Sequence, residues 1–195
     1  QEMSRGLGDV YKRQSIMSGN LPTSQGFQVM NFKSERPTLV SKSVSGKRFA
    51  RQVASQFFSF SLRFPKLQRS DFAELFAFVV KQRSQKETFN VVLPTISKPR
   101  GTISGTITAT ATAGSTSVTL SGGSGTMKSG DLVRFANHDK VYMVVSDNSD
   151  VSSNALVIEP ELRSALSSTN MTYDDVPFSV NTVSYTHLRA HETSP

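Results

Sequence analysis

The chain has 195 residues, 36% of them apolar and 19% charged, with a formal net charge of +7. Thirteen Phe can supply one medium core or two small ones, which excludes a disordered chain, and no run reaches the ~18–20 consecutive apolar residues of a membrane-spanning helix. Cysteine is absent, which excludes disulfides, thiolate nucleophiles, zinc–cysteine sites and iron–sulfur clusters.

The two ends of the chain differ from the rest. The stretches Gly8 to Gln14 and Val183 to Thr193 resemble translated sequencing-adapter read-through, as found at the ends of reading frames from metagenomic assemblies. On that reading residues 1–16 and 184–195 are non-native and stay out of fold reasoning, as expression scars do. Met17 is then the expected start, and the native C-terminus is expected beyond Val183. The pair His187 and His191 has metal-like i, i+4 spacing but falls in the second of these segments, so no metal site is expected from it. His138, between Asn137 and Asp139, reads as a polar turn residue.

Between the ends, charge divides the chain in two. Residues 17–100 hold 14 Lys/Arg against 4 Asp/Glu, a net +10, while residues 101–183 hold 4 against 8, a net −4. Most of the Phe lie in the first stretch, and the second is rich in Ser, Thr and Gly. These shifts predict two modules, 17–100 and 101–183, with a boundary near Pro99-Arg100-Gly101.

The first module opens with extended segments from Leu21 to Met30 and from Arg36 to Val40, where proline holds its predecessors extended. Ser45-Gly46 predicts a turn into a strand from Arg48 to Val53. Phe58, Phe60, Leu62 and Phe64 alternate with Ser59, Ser61 and Arg63, the period of a half-buried strand, and Pro65 ends it. One amphipathic helix follows near 70–83, with Ser70 as N-cap and Asp71 and Glu74 at its positive end. Its predicted buried stripe is Phe72, Leu75, Phe76, Val79 and Val80. Thr88 to Leu93 returns as a strand.

The second module reads as all-β. Thr102 to Thr112 is a β-branched run, Ser115 to Leu120 a further strand, and Gly122 to Gly125 a loop. Strands Leu132–Phe135, Val141–Val145 and Ala155–Ile158 complete the pattern of a small barrel or sandwich. The fold class is therefore mainly β with one helix (α+β): a strand–helix–strand core module plus a small all-β module.

Little catalytic chemistry is legible. The glycine loop lacks the Lys-Ser/Thr ending of a P-loop and the spacing of a dinucleotide site. Asp147 and Asp150 lack the glycine and final glutamate of an EF-hand loop and read as a solvated hairpin loop. Asp174-Asp175 reads as neighbouring carboxylates with diverging side chains. With no thiol, one credible histidine and no serine elbow, the chain is expected not to be an enzyme, and no catalytic, metal or cofactor residue is assigned. The basic first module raises nucleic acid as an alternative partner, through Lys47, Arg48 and Arg51. Its phenylalanines fall on apolar faces and read as core, so nucleic acid is not the expected partner.

The order of features resembles structural proteins of the tail and baseplate of tailed bacteriophages, of the distal-tail or minor-tail type. The likeness rests on Gly19 to Ser24, Arg36 to Val40 with Ser45 to Arg48, Phe57 to Phe64 leading into Asp71 to Phe78, Ser129 to Phe135, Lys140 to Val145 and Leu156 to Leu162. The resemblance implies a non-enzymatic virion subunit without cofactors, made in the host cytoplasm. It would assemble with other tail proteins, and with its own copies in a ring, away from any membrane. A carbohydrate-binding β-module at the tail tip is the remaining alternative. The opposite charges of the two modules suit head-to-tail docking.

Overall fold

The computed structural model describes residues 17–22, 26–52, 56–83 and 87–181; the segments 1–16 and 184–195, with His187 and His191, lie outside them. The first half contains β1 (Met17–Asn20), β2 (Val29–Glu35), β3 (Thr38–Lys42), β4 (Arg48–Gln52), β5 (Phe57–Arg63), α1 (Arg69–Lys81) and β6 (Thr88–Val92). Strands β2 and β5 pair antiparallel from Val29↔Arg63 to Glu35↔Phe57. Alternation sends Phe58, Phe60 and Leu62 to the face that also carries Met30 and Phe32, and this face packs on the core. Strands β3 and β4 form a separate two-stranded hairpin.

The helix begins earlier than Ser70 predicts. Gln68 occupies the N-cap in extended geometry without a side-chain bond, and its carbonyl already accepts the Phe72 N–H at 3.0 Å. The buried stripe is also rotated. Leu75 and Val79 are buried, Phe78 meets Phe89 edge-on at 5.4 Å, and Gln82 lies under the same face. Phe76 and Val80 are half-exposed instead, with Phe76 stacked on Phe72 at 5.6 Å. The helix carries apolar residues on two faces at the same spacing, so periodicity alone cannot choose between them.

The second half contains β7 (Thr108–Ala111), β8 (Ser117–Ser121), β9 (Leu132–Phe135), β10 (Val141–Val144), β11 (Leu156–Glu159), β12 (Leu166–Thr172) and β13 (Pro177–Val180). Six of these close a barrel in the order β10-β11-β8-β7-β12-β9. Its interior is filled by side chains including Ile107, Val118, Phe135, Tyr142, Leu156 and Ile158, each no more than 1% exposed. The β-branched run predicted from Thr102 to Thr112 yields only β7, because Gly105 takes φ +85° and breaks the extension. Strand β12 is nearly silent in the sequence. Only Leu166 and Met171 are buried, five residues apart, and an irregularity in register between Leu166 and Thr169 brings both inward.

Strand β13 leaves the barrel and joins the first half. It pairs antiparallel with β6, from Pro177↔Val92 to Val180↔Phe89, while β1 pairs parallel on the other side of β6. Phe178 then lies 5.8–5.9 Å from the rings of Phe32, Phe58 and Phe60, binding this sheet to the β2–β5 pair. Leu132 and Val141 of the barrel belong to the same cluster as Leu93, Val91 and Phe178. The two halves therefore share one packed boundary.

Candidate functional site

The charged residues of the barrel are largely satisfied within the chain. Asp131 is buried, and its carboxylate accepts the backbone N–H of Arg100 at 3.0 Å and of Lys128 at 2.8 Å. It thereby ties the entry to the barrel onto the start of β9. Arg134 pairs with Asp139, and Lys128 with Asp147 at 3.0 Å. Asp174 and Asp175 do not diverge as their adjacency suggests: both reach the Lys98 ammonium, at 3.8 and 3.4 Å, because the chain turns at a positive φ at Asp175.

The acidic loop serves the fold. Asp147 accepts the Ser129 N–H at 2.8 Å as well as the Lys128 ammonium, and these bonds hold its carboxyl down to about 2. Asp150 turns into its own loop, accepting from Ser152 and Ser153, whose bonds lower its pKa. The two carboxylates thus brace different segments. Among the described residues no group of three or more His, Asp or Glu could hold a metal ion. The glycine loop is a tight reversal: at Gly125, φ is +98°, and a Cβ would stand 2.3 Å from the Thr102 carbonyl oxygen.

His138 does sit in a turn, where it braces the barrel wall. Asn137 donates to the Ala165 carbonyl at 2.9 Å, so its Oδ1 faces the His138 Nδ1 and can only accept. Nδ1 therefore carries the proton, and Nε2 accepts from the Tyr142 hydroxyl at 2.7 Å. That hydroxyl in turn accepts the Arg163 N–H at 3.0 Å. Burial first, then the nearby Arg163, lowers the His138 pKa and favours this neutral form. Beside it a cleft of about 620 Å³ opens between barrel and first half, lined by Arg36, Gln56, Lys140, Glu161 and Arg163 among others. Arg36 bridges it to Glu159 at 2.9 Å, and the Lys140 ammonium donates to the Gln56 carbonyl at 2.7 Å. Burial, then Arg163 and Arg36, lowers the Lys140 pKa.

The β3–β4 hairpin is the opposite case. Its turn is closed by Gly46 at φ +82°, with the Ser43 N–H donating to the Lys47 carbonyl at 2.9 Å. Register places Leu39 opposite Arg51, Ser41 opposite Phe49 and Lys42 opposite Arg48. One face therefore holds Leu39, Arg51, Phe49 and Lys47, whose ammonium lies 5.5 Å from the Phe49 ring centre. The other holds Val40, Ala50, Lys42 and Arg48. Lys47, Arg48 and Arg51 are thus brought together on one exposed arm, as their spacing suggests, but on two faces of it. Among the described residues none of these cations has an ion-pair partner. The apolar exposure of this arm was not legible: Leu39 is 66% and Phe49 52% exposed, and alternation cannot say that neither face is covered.

Comparison with protein families decides the class. Residues 19–96 match the model of the N-terminal part of the A domain of distal tail protein pb9, and residues 95–172 match that of its B domain. The chain belongs to the distal tail protein family. Its role is structural, in the tail of a bacteriophage virion. The two matches meet in the Pro94–Ser97 turn that follows β6, and the second covers the barrel strands β7 to β12. No curated protein matches the chain. Among the described residues no helix is long and apolar enough to cross a membrane.

Proposed function

We propose that this distal tail protein is a non-enzymatic building block that assembles by protein–protein contact, with other tail proteins and with its own copies in a ring. Synthesis in the host cytoplasm precedes its incorporation into the tail. The observation that carries the reading is the asymmetry of charge on a chain of this family. The net +10 stretch carries Lys42, Lys47, Arg48 and Arg51 on an exposed arm, without an ion pair among the described residues, and the net −4 stretch forms the barrel. Complementary patches of this kind steer docking and fix register more than they add raw affinity.

Light scattering coupled to size-exclusion chromatography tests it, on the full chain across a salt series. The expected result is a discrete oligomer at low ionic strength that dissociates as salt screens the exposed charges. A monomer at every salt and protein concentration would overturn the ring.

A further inference from the structure

We propose that the cleft between the barrel and the first half is a binding site for a polyhydroxy acid, a small ligand with one carboxylate and several hydroxyl groups. Its volume of about 620 Å³ is that of a small-molecule site. The walls come from both halves. Gln56 stands just before β5 and Arg36 between β2 and β3, while Lys140 leads into β10 and Arg163 follows β11. The core shared by the two halves keeps these walls together.

Charge calls for one anion. Among the described residues Arg36, Lys140 and Arg163 line the cleft against Asp139 and Glu161, a surplus of one positive charge. Arg36 is paired with Glu159 and Asp139 with Arg134. Lys140 and Arg163 have no ion pair among the described residues and face Glu161 alone. The half-buried Lys140 ammonium donates one N–H to the Gln56 carbonyl at 2.7 Å and keeps two further donors. Burial, then the positive charges of Arg163 and Arg36, lowers its pKa, so cations crowd this point without a counter-charge. A carboxylate shared by Lys140 and Arg163 relieves that repulsion and accepts charge-assisted hydrogen bonds from both.

Hydrogen bonding calls for hydroxyls beside that carboxylate. Gln56 is 7% exposed; its Nε2 donates to the Ser34 hydroxyl at 2.8 Å, while its Oε1 is buried with no donor among the described residues. A buried acceptor in that state costs stability until a donor reaches it. The cleft thus joins cationic donors to unfilled acceptors, Gln56 Oε1 and the Glu161 carboxylate, and hydroxyl groups both donate and accept. An acidic peptide fits less well, because a second carboxylate would face Glu161. The site is also set in advance. Leu162 is buried with its N–H on the Ser115 carbonyl at 3.0 Å, and the Arg163 N–H donates to the Tyr142 hydroxyl at 3.0 Å. Arg163 therefore projects from an anchored backbone, which lowers the ordering cost of binding.

Gluconate is the probe, and saturation-transfer NMR observed on the ligand reads its binding to the full chain in whatever oligomer the chain forms. The expected result is saturable transfer with a Kd on the order of 1 mM. Acetate, which lacks the hydroxyls, and sorbitol, which lacks the charge, are each expected to bind at least about tenfold more weakly. Arg163→Gln and Lys140→Gln should each weaken gluconate at least about tenfold. The Arg163 side chain is exposed, so the first variant should keep the wild-type melting temperature. No transfer to gluconate from the wild-type chain overturns the proposal, as does binding that both variants leave unchanged. Acetate binding as tightly as gluconate would mean that only a simple anion is held, and overturns it too. If a triglutamate peptide binds in an Arg163-dependent manner and gluconate does not, the cleft receives an acidic peptide and the polyhydroxy acid is overturned.

Discussion

The barrel and the β3–β4 hairpin are made by the same rule of alternation and end in opposite states. In the barrel, the strands turn residues such as Val118, Phe135, Tyr142 and Leu156 into a closed interior, and Arg134, Lys128 and Arg100 find carboxylates within the chain. In the hairpin, alternation still sorts the side chains into two faces, yet β3 is exposed from Thr38 to Lys42 and the hairpin's cations have no ion pair among the described residues. A strand pattern thus says which residues share a face. Closure of the sheet, or the arrival of a partner, decides whether that face is buried.

The contrast is sharpest for leucine. Leu156→Ala empties a site with no exposure and should cost about 2–5 kcal/mol, whereas Leu39→Ala should leave stability within about 0.5 kcal/mol. Urea denaturation of the two variants side by side measures the difference directly. Equal losses would mean that the hairpin is covered in the isolated chain.

Next in size is Asp131→Ala, which strips two backbone N–H groups of their acceptor at the barrel entrance. The expected loss is about 1–3 kcal/mol. Proton exchange at the amides of Arg100 and Lys128 should rise more than elsewhere in the barrel.

A smaller effect follows from His138. Its folded pKa lies below its ordinary value near 6.5, so the unfolded chain takes up the proton first as pH falls. The stability it contributes is full above about 6.5 and is lost as pH falls from there through the folded value. Thermal melts between pH 7.5 and 5 should therefore show a downward slope in wild type that His138→Gln flattens. The smallest change is expected from Asp147→Asn. The wild-type carboxylate stabilises the fold above its ordinary value near 3.8, and that contribution disappears as pH falls toward about 2. Acid unfolding curves should differ only within that window, and modestly, since the group faces solvent.

Most of the architecture was legible because most strands carry their own punctuation. Phe58, Phe60, Leu62 and Pro65 mark β5, and Ser45-Gly46 marks the hairpin turn. The strands lost were those whose inward positions are set from outside. Strand β12 needs a bulge to bury both Leu166 and Met171, and β13 is identified by the partner β6 far back in the chain. The helix was found and its orientation missed, because Phe72, Phe76 and Val80 compete with Leu75, Phe78 and Val79 for the core at equal spacing. At the site level, Lys47, Arg48 and Arg51 could be picked out by charge. Asp131 gives no such signal in the sequence, since its burial depends on two amides supplied by Arg100 and Lys128.

The return of β13 bears on how the molecule is made. Ser97, just after β6, donates its hydroxyl to the Val176 carbonyl at 2.9 Å, and Val176 donates its N–H back to Ser97 at 3.1 Å, although the two residues are 79 apart in sequence. In an unfolded chain, bringing such distant ends together carries a full loop-closure entropy cost before any pairing rewards it. A folded barrel removes most of that cost by delivering Val176 beside Ser97, leaving β13 only a short step to β6. The order expected from this economy is a barrel that forms early and a three-stranded sheet, with its aromatic packing around Phe178, that closes late on the template the barrel sets.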